Sequence, residues 1–155
     1  MPLGANLSYT QFETLLSRVR TFGRITEARL YCDSEKGTLA RAHRGHVERL
    51  GVNLVDCPTS DKKEAVDKKI IVDCLVWAVA RAAKSQPCAV VLISGDGDFA
   101  HMLSRLNNLG VRTIAIGRSR ALQSVAVTSL TLREACGAEV GSPPPSGRGT
   151  KRPAA

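Results

Sequence analysis

Two carboxylates stand where an apolar run stops. In "VVLISGDGDFAHML", residues 90–103, the stretch Ala89 to Ile93 is followed within a few residues by Asp96 and Asp98, set among Gly95 and Gly97. A short, continuous apolar run reads as a buried strand. A strand buried on both faces belongs in a parallel sheet covered by helices. Such sheets bind their ligands beyond the carboxyl ends of the strands. One aspartate is accounted for by helix capping, with Asp98 the expected N-cap of a helix beginning near Phe99. Capping leaves the second aspartate and the glycines unexplained.

Two more aspartates lie upstream in "EAVDKKIIVDCLVWA", residues 64–78. Asp67 and Asp73 are six residues apart, close to two helical turns. Asp67 is at the start of the segment, where a carboxylate also favours the helix dipole. Asp73 is embedded in "IIVDCLVW" and needs a partner there, either a metal or a basic or amide group. Together Asp67, Asp73, Asp96 and Asp98 suit a hard cation, Mg2+ or Mn2+, which prefers carboxylate and water oxygens. Such a cation polarises a phosphate and activates water for phosphodiester cleavage. It also relieves the repulsion among clustered carboxylates.

These residues must be held by alternating elements. "SYTQFETLLSRVRTFG" places Phe12, Leu15, Leu16 and Val19 at helical spacing with Gly23 as a stop. A strand in "EARLYCD" ends at Asp33. A helix in "GTLARAHRGHVERLG" has Leu39, Ala42, Val47 and Leu50 on its apolar side. "VNLVDCP" is a strand ended by Pro58. A long helix then carries Asp67 and Asp73, and the strand in "CAVVLISG" precedes Asp96. "DFAHMLSRLNNLG" is a helix ending at Gly110, and "VRTIAIG" is a strand. A short helix and a small strand near Val127 to Leu132 complete the pattern. Alternation of this kind predicts a three-layer α/β/α domain with a mainly parallel sheet.

The chain has 155 residues, enough for one domain over 1–140, with a Pro/Gly-rich basic tail over 141–155 expected to be disordered. Its net charge is +8. The tail contributes Arg148, Lys151 and Arg152 and no acid, so the body keeps +5, eight less three. A basic body suits a polyanionic partner such as RNA. Aromatic residues make up 4% of the chain, too few for an extended base-stacking platform. Five dispersed cysteines include no CxxC pair, which argues against structural zinc and for reduced thiols. No apolar stretch approaches a membrane span and the start lacks a secretory signal, so an intracellular, cytoplasmic or nuclear protein is expected.

The segment "VVLISGDGDFAHMLSRLNNLGVRTIAIG" resembles the signature of the NYN domain family, a LabA-like branch of the PIN-like nuclease fold. The matching residues are Ser94, Gly95, Asp96, Asp98 and Phe99. "VDKKIIVD" resembles the family's helix with two aspartates six apart, and "GANLSYTQFETLL" its asparagine-containing turn. The resemblance spans roughly residues 4–117. It implies a metal-dependent endoribonuclease acting on single-stranded or structured RNA. Asp67, Asp96 and Asp98 would be catalytic, Asp73 would stand close by, and Asn6 and Ser94 would order the site. Gly97 would permit the close turn. Lys62, Lys63, Lys68, Lys69, Arg118 and Arg120 would lie beside the cleft and contact RNA. The family opens with an apolar strand ending in aspartate, central in the sheet; the position matching that aspartate here is Leu3. A sheet lacking its first strand is therefore expected, completed by a partner chain or by self-association. That departure gives the alternative of a catalytically impaired RNA-binding or scaffold protein.

Other motifs fit less well. "GDGDFA" matches a dinucleotide fingerprint in form, but its aspartates would repel a pyrophosphate and no acid is placed for a ribose. A phosphatase-type "GDGD" loop needs a DxD nucleophile, and "YCDSEKG" lacks the second aspartate. His43, His46 and His101 are scattered, and no P-loop, GxSxG or HExxH is present.

Overall fold

The computed structural model describes residues 7–35, 41–58 and 64–137. Helix α1, Tyr9–Arg20, begins where Ser8 and Gln11 cap each other. The Ser8 hydroxyl accepts from the Gln11 amide, and the Gln11 side chain accepts from the Ser8 amide at 2.9 Å. This reciprocal box satisfies two of the amides that every helix start leaves unpaired. Strand β1, Arg29–Cys32, helix α2, Arg41–Arg49, and strand β2, Asn53–Asp56, follow. Helix α3, Ala65–Ala82, leads to strand β3, Ala89–Ile93. A 3-10 turn at Gly97–Phe99 runs into helix α4, Ala100–Asn108, and strand β4 is Arg112–Ile116. Helix α5, Arg120–Val125, strand β5, Thr128–Leu130, and helix α6, Leu132–Cys136, end the described chain.

All described strand pairs are parallel, as the buried apolar run at β3 predicts, but they form two sheets. One is β1–β2; the other is β3–β4–β5. Among the described residues the "RLYC" strand and the "AVVLI" strand thus belong to different sheets. Residues 1–6, Leu39 and the tail from 138 onward lie outside the described residues.

Helices cover both faces. On one side, Leu92 and Ala115 of the sheet pack with Ala78 of α3, Met102, Leu103 and Leu106 of α4, and Leu122 of α5. On the other, Ile114 and Ile116 pack with Leu7, Leu15 of α1, and Ala135 and Cys136 of α6. A smaller cluster of Leu16, Val47 and Val52, with Leu30 and Leu54 against it, joins α1 and α2 to the β1–β2 sheet. Each fully buried leucine or isoleucine contributes about 1.5–3 kcal/mol. The buried Thr113 is satisfied twice: its hydroxyl donates to Asn107 Oδ1 at 2.7 Å and accepts from the Val127 amide at 3.1 Å.

Helix α6 is not predicted by periodicity, because five residues are too few to show one. Its signal is the capping box in "TLRE". Thr131 Oγ1 accepts from the Glu134 amide at 3.2 Å, and a Glu134 carboxylate oxygen accepts from the Thr131 amide at 2.6 Å. No helix among the described residues is long and apolar enough to cross a membrane.

Candidate acidic site at the strand ends

Strand β3 ends at Ile93, and the chain turns at once. The Ser94 hydroxyl accepts from the Asp96 amide at 3.1 Å, and Asp96 Oδ1 accepts from the Asp98 amide at 3.0 Å. The capping aspartate is therefore Asp96, on the 3-10 turn, and not Asp98. Helix α4 proper follows Phe99, which supplies no side-chain cap. With its amide bound to Asp96, Asp98 holds an exposed carboxylate one turn ahead of α4. Phe99 is buried and anchors the turn to the core.

Two glycines shape this corner differently from the sequence expectation. Gly97 does not adopt a positive φ. What it provides is room: a Cβ there would stand 3.2 Å from Ser119 Oγ and 3.3 Å from the Ala121 Cβ. The loop after β4 thereby approaches the Asp96–Asp98 loop and brings exposed Arg118 and Arg120 beside it. The tighter position is Gly117, which sequence reasoning assigns no role. A Cβ there would lie 2.0 Å from the Ser94 carbonyl oxygen. Its only trace in the sequence is a glycine directly after the "TIAI" run.

Asp67 enters from the first turn of α3. Its carboxyl is held above the ordinary range, first by burial and then by the negative charges of Asp96, Asp98 and Glu64. The structure thus brings Asp67, Asp96 and Asp98 into one electrostatic neighbourhood. Glu64 is an addition that sequence reasoning missed; it pairs with Lys68 at 3.1 Å, both side chains well exposed. Lys69 is exposed and donates from Nζ to the Asp56 carbonyl at 3.1 Å.

Asp73 is placed elsewhere. Six residues advance a helix by about 600°, so Asp73 lies about 120° around α3 from Asp67. It faces β1, where it accepts from the Tyr31 hydroxyl at 2.9 Å and pairs with Arg29 at 3.1 Å. The partner that its apolar setting demanded is thus a basic side chain and a phenol. The Arg29 guanidinium is held more firmly protonated, first by its bond to Tyr31 and then by Glu27. Burial pushes the Tyr31 hydroxyl up, and the neighbouring Asp73 adds to this. Asn6, Lys62 and Lys63 lie outside the described residues.

A second acidic pair, Asp33 and Asp56, closes the ends of β1 and β2. Both serve the backbone there: Asp33 accepts from the Glu35 amide and Asp56 from the Ser34 amide, each at 2.9 Å. The bonds from Ser34 hold the Asp56 carboxyl below its ordinary range.

Among the described residues no group of three or more His, Cys, Asp or Glu is close enough to make a ligand set. The donor chemistry of Asp67, Asp96 and Asp98 still fits a hard cation. Mg2+ is commonly held by one or two carboxylates and completes its shell with water and substrate phosphate. Two cavities lie away from these aspartates, one lined by Leu7, Tyr9, Leu30 and His46 and another by Leu16, Arg24 and Leu50.

The family model for the NYN domain matches residues 3–137. The chain belongs to the NYN domain family. This is a PIN-like α/β nuclease family, generally dependent on divalent metal and associated with RNA. The fold of this NYN domain is similar to the crystal structure of a protein of unknown function from Vibrio parahaemolyticus RIMD 2210633. The TM-score is 0.60 at 19% identity, over 85% of this chain and 82% of that one. At that identity the likeness concerns the fold alone. No curated protein matches the sequence.

Proposed function

We propose that this NYN domain is a metal-dependent endoribonuclease acting on single-stranded or unpaired RNA, with Asp67, Asp96 and Asp98 as its acidic site. The observation that supports the reading is that Asp67, at the start of α3, lies within the charge field of the two aspartates that follow β3. The negative charges of Asp96 and Asp98 disfavour the ionised form of Asp67, and a cation would relieve that repulsion. When bound, Mg2+ or Mn2+ supplies Lewis acidity toward the phosphodiester and the attacking water.

The chain's own contributions follow from the geometry. Asp96 is fixed by its bonds to Ser94 and Asp98, so its remaining carboxylate oxygen projects from a rigid turn. Ser94 acts here through its hydroxyl, which accepts from the Asp96 amide and orders the loop. Exposed Lys68 and Lys69 on α3, with exposed Arg118 and Arg120 at the entry to α5, would hold the RNA backbone. A flexible single strand reaches such an open corner more readily than a duplex.

Cleavage of an unstructured RNA, followed with and without added Mg2+ or Mn2+, tests the reading. Asp96→Asn is expected to abolish metal-dependent cleavage while the circular dichroism spectrum and RNA binding persist. Cleavage that survives Asp96→Asn and needs no metal would refute it. Binding to RNA without cleavage in the unaltered chain would favour the second reading, an RNA-binding protein on a nuclease fold; the absence of a closed ligand set among the described residues supports that alternative.

A further inference from the structure

Helix α3 is apolar on more sides than the described fold covers. Between Ile70 and Ala83 its charged residues are Asp73 and Arg81. Both are engaged. Asp73 meets Tyr31 and Arg29 of β1, and Arg81 lies over the Trp77 ring, 5.4 Å from its centroid, while donating to Gln86 Oε1 at 3.2 Å. Ile70, Ile71, Cys74, Leu75 and Ala78 pack on the cluster of Leu92 and Leu103. Left outside are Val72, Val76 and Val79, which are 58%, 66% and 54% exposed. Steps of four and three residues keep these valines within about 60° of one another around the helix axis. The helix stripe that a protein turns to solvent ordinarily carries polar residues. Valine is also a poorer helix former than alanine, lysine or glutamate, so helix formation does not select it there. Burial against a further element accounts for it.

The other segments of this chain do not suit that role. The described chain starts at Leu7 and stops just after Cys136, and both pack with α1 on the side of the sheet opposite α3. Residues 59–63, "TSDKK", directly before α3, hold no apolar side chain, and residues 36–40 hold one leucine. Residues 141–155 are basic and hold nothing apolar larger than proline. A second copy of the domain fits no better. Antiparallel pairing of the two stripes about Val76 would bring Lys68 of one copy to Lys84 of the other, and parallel pairing would bring Lys69 to Lys69. A contact of one helix on one helix is also smaller than the roughly 1,200 Å² of a stable interface, too little to hold two basic domains together against that repulsion.

We propose that the Val72–Val76–Val79 face of α3 is a docking surface for an amphipathic helix of a partner protein, apolar on one side and flanked by acidic residues. The apolar side is set by the valines, whose spacing of four and three residues is that of the anchors by which helices recognise one another. The acidic flanks are set by charge. Exposed Lys68 and Lys69 stand at one end of the stripe and exposed Lys84 at the other. Of the acids near these ends, Glu64 pairs with Lys68 and Asp67 is half-buried toward Asp96 and Asp98; Lys84 has no ion pair among the described residues. The inference does not depend on the nuclease reading, since the valine face contains none of Asp67, Asp96 and Asp98.

The test uses the full chain and a fluorescent synthetic peptide of 18 residues, the length of α3, with leucines along one helical face and glutamates beside them. A second peptide carries lysine in place of each glutamate. The acidic peptide is expected to bind, more weakly as salt is raised, and to shift the methyl resonances of Val72, Val76 and Val79; the basic peptide should not bind. Replacing the three valines together by alanine should weaken binding of the acidic peptide by about tenfold or more. The same variant should melt no lower than the unaltered chain, because alanine is the better helix former and the valines touch little within the domain. Failure of the acidic peptide to bind, equal binding of the two peptides, or undiminished binding to the triple variant would overturn the proposal. Concentration-dependent dimerisation of the unaltered chain that the triple variant loses would also overturn it, assigning the face to a second copy. Should the triple variant fail to fold, the comparison of the two peptides and the valine methyl shifts decide.

Discussion

Gly117→Ala probes the close approach that holds the acidic loop in place, at a position whose φ of +159° a residue with a Cβ rarely adopts. The new Cβ would stand 2.0 Å from the Ser94 carbonyl oxygen and 3.0 Å from its carbonyl carbon. Real Cβ atoms come no nearer than 3.0 Å to a neighbour, so the two strand ends must part by roughly 1 Å. The neighbour is backbone and cannot rotate away. Overpacking of this kind typically costs about 1–3 kcal/mol, and the backbone clash places this case near the top, at about 2–3 kcal/mol. For a domain of this size that lowers the melting temperature by roughly 5–10 °C. The same shift moves Ser94, whose hydroxyl sets the Asp96 amide. A displacement of about 1 Å in a catalytic group costs on the order of 100-fold in rate. Thermal melts by circular dichroism and metal-dependent RNA cleavage, both run beside Gly95→Ala, provide the assay. A methyl group added at Gly95 would meet nothing within 4 Å, so that variant should stay within about 1 °C on the same size scale. A Gly117→Ala protein that melts like the unaltered chain and keeps its activity would refute the close approach.

Asp67→Asn should stabilise the domain at neutral pH. A raised carboxyl means that the folded state binds the proton more tightly than the unfolded one, so stability falls as pH rises from the ordinary Asp range through the raised value. The advantage of the variant should shrink as pH drops through that window; a lower melting temperature than the unaltered chain at neutral pH would contradict it. Asp73→Ala should cost about 1–2 kcal/mol as its bonds to Tyr31 and Arg29 disappear, part of that discounted for solvent. Cleavage per folded molecule should change little, and a loss as complete as that of Asp96→Asn would return Asp73 to the acidic site. Neutralising Lys68, Lys69, Arg118 and Arg120 together should flatten the dependence of RNA affinity on salt by about 0.7 in log–log slope for each phosphate no longer neutralised. An unchanged slope in a titration by fluorescence anisotropy would remove this face from RNA binding.

Apolar patterning decides the class of fold and the address of the acidic residues. The apolar runs at Ala89–Ile93 and at residues 114–116 read as strands of a parallel sheet with helices above and below, and residues 114–116 are buried on both faces. Local chemistry also carries Ser94, Asp96 and Asp98, because residues so close in the chain stay together whatever it does elsewhere. Helix phase is legible too, yet it misleads at Asp73. A six-residue spacing looks like one face, but the residual rotation directs Asp73 to β1, and only the position of Arg29 and Tyr31, some forty residues upstream, shows what meets it. Tertiary structure alone sets Asp67 within the charge field of Asp96 and Asp98, since nothing in either segment encodes the distance between the start of α3 and the end of β3. It alone gives Gly117 its role, because a steric limit between two strand ends depends on their register and not on either segment by itself. Strand pairing, finally, is long-range by nature: each strand is recognisable from its own residues, and the separation of β1 from β3 becomes visible only when their hydrogen bonds are followed across the fold.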